Sequence, residues 1–581
     1  MKTKLMIVLT LSLVIMSGSL LAQIVPPTEP IIIVGDTLYV FPTYNGVAFD
    51  ALNKWIDYGF SLDTPAKIFR LANNETYKVS HTITTNQTLH IVAKKPDAEN
   101  APPLIVAATD LDNEFPGTII HNNGAVIIKN IYFCGADIEA PVIGEAAQAS
   151  YIIDVAKDST TNVVDGCYFE WMGGDGAAFL SRNNGVNLTF TNNFSMNSTT
   201  GGANWWNTWA GYTVNLDGNP QGDIVIRNNT AINCPGPFFI NWHDLTHSLV
   251  MDHNTVINNA IMCLFNTTWT DAVLSNNIFF NVGCEGIERQ RLQAVDTLCW
   301  GIINVDTLSY YNLDSAYAAI EGIERSEVER HRKLSLVNNY HGWSSEIYDY
   351  WNANDSLFQT KWMNTRIQAM FADDVNYPYF TEEGTYSMEE HGDPQFVGGY
   401  GGSETMTPFV DWMTNVLWAG GTEPTRYYYC PGEPGPQPNP AMVWPLGFDL
   451  RIGNAALVGS DGKPLGDLNW YAEYAERWDP NVLSSVEEAA NALPVEFKLN
   501  QNFPNPFNPT TNISFYLPKK SEVNIIVYNV LGQEVVTLVD EVKSAGRHIV
   551  QFDGKNLSSG VYICRMGIGN QVFKRKMMLL K

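Results

Sequence analysis

Between Glu170 and Trp269 the chain repeatedly sets tryptophan beside aspartate, asparagine, arginine or histidine. Trp205, Trp206 and Trp209 fall in one short stretch and Asn241-Trp242-His243-Asp244 in another, with Asp175, Arg182, Asp217 and Asn266 around them. Flat indoles stack on sugar rings, and amides bond sugar hydroxyls. Trp205, Trp206, Trp209, Asn241, Trp242 and Asn266 are therefore candidate substrate-binding groups. Elimination on a uronate needs a group that quenches the carboxylate charge and a base for the adjacent proton. Arg182 and His243 are the candidate catalytic groups. Asp175, Asp217 and Asp244 are candidate ligands for Ca²⁺, which would also reconcile an acidic protein with an anionic sugar chain. The same three aspartates could supply the carboxylate cluster of a glycoside hydrolase. A groove rich in tryptophan and asparagine but without an acid–base pair would bind glycans without turning them over, as an adhesin or a surface structural protein does. No catalytic motif maps residue by residue onto these positions, so the three readings stay open, with lyase chemistry leading among the enzymatic ones.

The elements that must position these groups are announced by a repeated phrase. It reads Thr191-Asn192-Asn193-Phe194, Arg227-Asn228-Asn229-Thr230, Asp252-His253-Asn254-Thr255 and Ser275-Asn276-Asn277-Ile278, and the second residue of the pair recurs after 36, 25 and 23 residues. A short β-branched run precedes each phrase and another follows, closed by Asn197, Asn233, Asn258 or Asn281. Strands this short cannot bury an apolar face alone; stacked about 4.8 Å apart they share a core. Asparagine tolerates the left-handed bend between them, and its amide can bond the next tier. Weaker copies lie at Lys129-Asn130-Ile131, Asp165-Gly166-Cys167 and Val337-Asn338-Asn339-Tyr340. The phase gives one strand before the pair (Asp223–Ile226, Leu249–Met251), one after it (Thr230–Ile232, Thr255–Ile257), a variable loop, and a third strand (Ala177–Ser181, Tyr212–Leu216, Phe238–Trp242, Met262–Asn266).

The chain has 581 residues, only 17% of them charged, and a formal net charge of −26. That balance excludes a nucleic-acid partner, which needs a basic stripe. Lys2 and Lys4, the apolar run Leu5–Met16 and the small residues ending at Ala22 read as a signal peptide over 1–22. No later run is long and apolar enough to span a bilayer, so the mature chain is expected to carry no transmembrane segment. Cys134, Cys167, Cys234 and Cys263 fall where small apolar packing is expected, and Cys284 and Cys299 bracket a long loop in which a disulfide is open.

Ile68-Phe69-Arg70-Leu71, Thr82-Ile83-Thr84, Leu89-His90-Ile91-Val92 and the Asn-Asn coils resemble the secreted right-handed parallel β-helix proteins of the pectate-lyase-like superfamily. The resemblance implies an all-β, right-handed parallel β-helix, a solenoid of the pectin-lyase type, with substrate lying along the third sheet against the variable loops. A linker and cap are expected over 23–64, with a short helix near Val47–Tyr58. The β-helix then occupies 65–480, with a charged insertion at 284–334 and helical character over Ser315–Arg332; placed at a variable loop, it would project beside the groove as a lid, a wall or a docking surface. Residues 481–496 read as a linker. Residues 497–581 contain Asn502-Phe503-Pro504-Asn505-Pro506-Phe507-Asn508-Pro509, Val530-Leu531-Gly532-Gln533-Glu534, Ser559-Gly560-Val561-Tyr562 and a basic tail. They resemble the type A C-terminal sorting domain of the type IX secretion system, which implies a small Ig-like β-sandwich. It further implies export through that machinery to the outer-membrane surface or the medium. The partner expected from the tryptophan- and asparagine-rich groove is a polysaccharide.

Overall fold

The computed structural model describes residues 25–137, 148–173, 176–197, 211–234, 236–241, 244–260, 262–266, 268–284, 287–288, 301–353, 357–399, 403–414, 449–477, 497–499, 502, 507–517, 520–543, 546–569 and 571–580. The segment expected to be a signal peptide lies outside them.

Three long sheets wrap one core, and the solenoid is a parallel β-helix. The first sheet stacks Thr37–Val40, Ile68–Leu71, Leu89–Val92, Val126–Lys129, Thr161–Asp165, Asn187–Thr191, Gln221–Arg227, Thr246–Asp252, Asp271–Ser275, Lys333–Val337 and Phe380–Glu383, all parallel, with Ile32–Val34 antiparallel at its start. The second runs from Thr76–Val79 through Tyr168–Glu170, Thr230–Ile232 and Ile278–Val282 to Tyr386–Ser387. The third stacks Ile83–Thr85, Thr118–Asn122, Tyr151–Val155, Ala177–Ser181, Tyr212–Asn215, Phe239–Ile240 and Leu264–Phe265. Inside, like side chains stack on like: the Phe133 and Phe169 rings lie 5.5 Å apart at 5°.

The asparagine phrase does what its chemistry suggests. Asn229 Nδ2 donates to Asn254 Oδ1 (2.9 Å), Asn254 Nδ2 to Asn277 Oδ1 (2.9 Å) and Asn277 Nδ2 to Asn339 Oδ1 (2.8 Å), while the Asn193 amide N–H donates to Asn229 Oδ1 (2.9 Å). Each amide also takes up a carbonyl of the tier behind, such as Ile226 for Asn254. The residue before each rung of this ladder (Asn192, Asn228, His253, Asn276, Asn338) holds φ between 50° and 59°, the left-handed bend that turns the first sheet into the second. A second column, Asn233, Asn258 and Asn281, repeats the device at the next corner, with Asn258 donating to Asn233 at 3.1 Å.

The expected boundaries shift in two places. The solenoid starts before residue 65, since Thr37–Val40 already pairs parallel with Ile68–Leu71. The helix forms at Ala51–Ser61 and buries Leu52, Trp55 and Ile56 over the open end of the core. The insertion takes the place of the next third-sheet strand. Its helical part is broken by the left-handed Gly322 into Asp314–Glu321 and, after a 3-10 turn, Val328–His331. Its apolar face packs on Leu245 at the corner between the third and first sheets. Arg332 is fully buried there and donates to the carbonyls of Trp269 and Asp306. Cys284 is a free, buried thiol donating to the Asn281 carbonyl; Cys299, its candidate disulfide partner, lies outside the described residues.

Residues 449–477 form a strap across the outer face of the second sheet. Arg477, fully buried, donates to the carbonyls of Asn192 (2.7 Å), Asn193 (2.9 Å) and Asn228 (3.2 Å), and pairs with Asp467. Trp470, Leu465, Leu457 and Leu450 cover Phe194, Ile232, Ile257 and Phe280. The C-terminal domain is an antiparallel sandwich. One sheet is Glu534–Lys543, Ser521–Asn529, Gly560–Ile568 and Gln571–Leu579; the other is Lys498–Leu499, Thr510–Leu517 and Gly546–Asp553, and the core between them includes Ile513, Phe515, Val527 and Cys564.

Candidate functional site

The third sheet does not alternate strictly. Two consecutive residues of each strand turn inward, as in Ile119-Ile120, Ile152-Ile153 and Ala178-Phe179, leaving the residues on either side on the outer face. The register therefore brings Thr84, His121, Asp154, Leu180, Asn215, Ile240 and Phe265 into one row, and Thr118, Tyr151, Ala177 and Tyr212 into a second. Two polar pairs stand on this face. His121 Nδ1 lies 2.7 Å from Asp154 Oδ2. Arg182, just beyond its strand, donates from Nε to Asp217 Oδ2 (2.8 Å) and from an Nη to the Tyr151 hydroxyl (2.8 Å), with its guanidinium 5.0 Å over the Tyr151 ring. Burial works against the Arg182 cation, but Tyr151, Asp217 and Asp154 outweigh it and hold its pKa above the ordinary value. The Arg182 side chain stays 47% exposed and that of His121 39%, so both remain open to a ligand. Farther along, the face turns apolar and closes: Leu180, Tyr212, Ile240 and Phe265 are all buried.

Of the residues singled out in the sequence, Arg182 and Asp217 come together as an ion pair. Asp244 lies one tier farther on at the same corner between the third and first sheets, where its Oδ1 accepts the Leu245 N–H at 2.7 Å and burial raises its pKa. Asn241 and Asn266 have 0% and 2% exposure; Asn241 donates to Thr246 Oγ1 and Asn266 accepts from Thr268. Their amides hold the turn out of the third sheet, which corrects their assignment as sugar-binding groups. Trp205, Trp206, Trp209, Trp242, His243 and Asp175 lie outside the described residues.

Sequence reasoning missed His121, Tyr151 and Asp154. Their strands stand before the first clear Asn-Asn phrase, where the repeat is weakest. The doubled inward residues also hide which side chains face out, because a period of two puts Tyr151 and Asp154 on opposite faces. Glu170, which the sequence sets at the start of the tryptophan-rich stretch, stands at the end of a second-sheet strand. That carboxyl is buried, accepts from Tyr132 and Asn197, and is pushed up by burial to about 7.

Comparison with known proteins agrees with the C-terminal reading. The secretion-system C-terminal sorting domain family matches residues 501–580. This stretch is a type IX sorting domain, and it addresses the chain to the cell surface or the extracellular space. No curated protein matches the chain. Among solved structures, tailspike protein gp49 from Acinetobacter baumannii bacteriophage Fri1, described as a capsular polysaccharide depolymerase, is similar at 7% identity and a TM-score of 0.21, over 92% of this chain and 76% of that one. The β-helix assignment rests on the strand register above. No helix among the described residues is long and apolar enough to cross a membrane.

Proposed function

We propose that this exported β-helix protein engages an acidic polysaccharide along the outer face of its third sheet and cleaves it by β-elimination. The observation that supports this best is the half-exposed Arg182 cation, held by Tyr151 and Asp217 beside the His121–Asp154 pair. A uronate carboxylate would pair with Arg182, which stabilises the charge that develops as the neighbouring proton leaves. Asp154 accepts a hydrogen bond from the Nδ1–H of His121, which leaves the Nε2 lone pair to take the proton from the carbon beside the carboxylate. The carbon–oxygen bond of the leaving sugar then breaks as the double bond forms. His243, as named from the sequence, is the alternative base, and Trp205, Trp206, Trp209 and Trp242 are proposed to carry the sugar rings. A Ca²⁺ ion on Asp175, Asp217 and Asp244 fits less well than Arg182 as the charge-quenching group, because the Asp217 carboxylate is already engaged by the guanidinium.

The second reading is a glycan-binding adhesin or surface structural protein. It is favoured by the apolar closure of the face beyond Leu180, which among the described residues leaves a short stretch of polar surface. Incubation of the full chain with pectate, alginate and glycosaminoglycans, followed by the ultraviolet absorbance of unsaturated ends, separates the two. The lyase reading expects product from the native chain and none from Arg182→Ala or His121→Ala. Retention on a glycan column without product supports the adhesin, and neither product nor retention refutes both.

A further inference from the structure

At the opening rungs, four side chains from three separate segments meet around one point. Asp50 stands before the capping helix, Ser80 and His81 follow the strand Thr76–Val79, and Asp110 follows the next strand of the same sheet, Leu104–Ala107. Asp50 does not cap its helix. Its Oδ1 instead accepts the N–H groups of Ser80 (2.8 Å) and His81 (3.0 Å), which aims Oδ2 at the Ser80 hydroxyl (2.8 Å) and at His81 Nδ1 (2.8 Å). Asp110 is fixed in the same manner: Oδ1 accepts from Asp112 (3.0 Å) and Glu114 (2.9 Å), and Oδ2 lies 3.2 Å from Ser80 Oγ. One ligand atom each from Asp50, His81 and Asp110 falls within 4.8 Å of the others. In both carboxylates one oxygen is tied to backbone and the other is turned to a shared centre, with an imidazole nitrogen beside them.

We infer that Asp50, His81 and Asp110 form a binding site for a divalent transition-metal cation such as Zn²⁺. Two carboxylates and a neutral imidazole balance the ion's charge, and the imidazole favours a transition metal over Ca²⁺, which prefers oxygen throughout. The backbone bonds to the remaining carboxylate oxygens orient the donors, as outer-shell partners do in metal sites. The site is separate from Asp175, Asp217 and Asp244. It stands at the corner between the second and third sheets, and an ion there would tie the helix Ala51–Ser61 to two successive rungs.

The test is titration of the chelator-treated full chain with Zn²⁺ and, separately, Ca²⁺ by isothermal calorimetry, with thermal melting in parallel. One equivalent of Zn²⁺ should bind and raise the melting temperature. His81→Ala and Asp110→Asn should each weaken that binding on the order of a hundredfold while keeping the native circular dichroism spectrum. Asp110→Asn retains the oxygen that accepts from the backbone, so it separates loss of a ligand from loss of the fold. No Zn²⁺ binding, binding unchanged in both variants, or binding of Ca²⁺ alone would each overturn the assignment.

Discussion

Replacing Asn254 by alanine tests the central ladder at its middle rung. The Asn254 amide donates to Ile226 O and Asn277 Oδ1, and its oxygen accepts from the backbone N–H (3.1 Å) and the Nδ2 (2.9 Å) of Asn229. Every one of these groups is buried. Asn229 Nδ2 keeps Phe190 O, and Asn277 Oδ1 keeps the Asn254 N–H, so two of the four partners remain satisfied. The Asn229 N–H and one bond to the Ile226 carbonyl are lost outright. An orphaned buried donor costs about 1–3 kcal/mol and each net hydrogen bond about 1 kcal/mol, so the variant should lose about 2–4 kcal/mol. Urea unfolding followed by tryptophan fluorescence measures it, with Thr189→Ala on the outer face of the first sheet as control; that change should stay within about 0.5 kcal/mol. If Asn254→Ala cost no more than the control, the amide column would be a by-product of the bend and not a source of stability.

Glu170 gives a pH prediction. Its folded pKa of about 7 stands above the ordinary 4.5, so the folded state binds the extra proton. Its contribution is complete below pH 4.5 and is lost as pH rises through 7, about 3 kcal/mol in all. His341, stacked on Trp362 and lowered by burial to about 4, runs the opposite way and loses stability as pH falls from 6.5 towards 4. The wild-type profile alone therefore hides both, and the difference between wild type and Glu170→Gln isolates the first; a difference independent of pH would contradict it. Gly466→Ala should loosen the strap by about 2 kcal/mol or more, because φ is +76° and a Cβ would meet Thr255 Oγ1 at 2.4 Å. Limited proteolysis should then cut within 449–477, and an uncut strap would count against the contact. Asp217→Asn should lower affinity for acidic glycans several-fold by freeing Arg182 to move, while leaving neutral glycans unaffected; equal loss on both would show a general folding defect.

The fold was legible because its signal is chemical as well as periodic. A left-handed bend followed by a bonding amide needs asparagine twice, and the pairs at 192–193, 228–229 and 276–277 stand out in any scan. His253 takes the bend in the remaining tier, and it too holds φ at 54°. The C-terminal sandwich was legible from its turns and alternating strands. The site was legible only in part. Arg182 and Asp217 fall at strand ends that the phase predicts, but which face a third-sheet residue takes depends on the doubled inward pair, and a rule of strict alternation misplaces it. Asn241 and Asn266 misled because an asparagine that bonds a turn and one that bonds a sugar are identical in sequence. The Asp50, His81 and Asp110 cluster gave no local signal, since its members are drawn together only by the winding of two rungs under the cap.

The strap has a consequence for how such a molecule is made. Most contacts in a solenoid join neighbours, so each tier can settle as it appears. The Arg477 and Ser460 bonds instead reach back 285 and 184 residues. Until that ribbon has been synthesised, Phe194, Ile232, Ile257 and Phe280 face water, and the growing coil is finished on its inside but raw along one flank. The sorting domain follows the ribbon in the chain. Any polypeptide that carries the address for export has thus already been given the means to seal itself, and translation order alone keeps raw-flanked fragments from bearing the address.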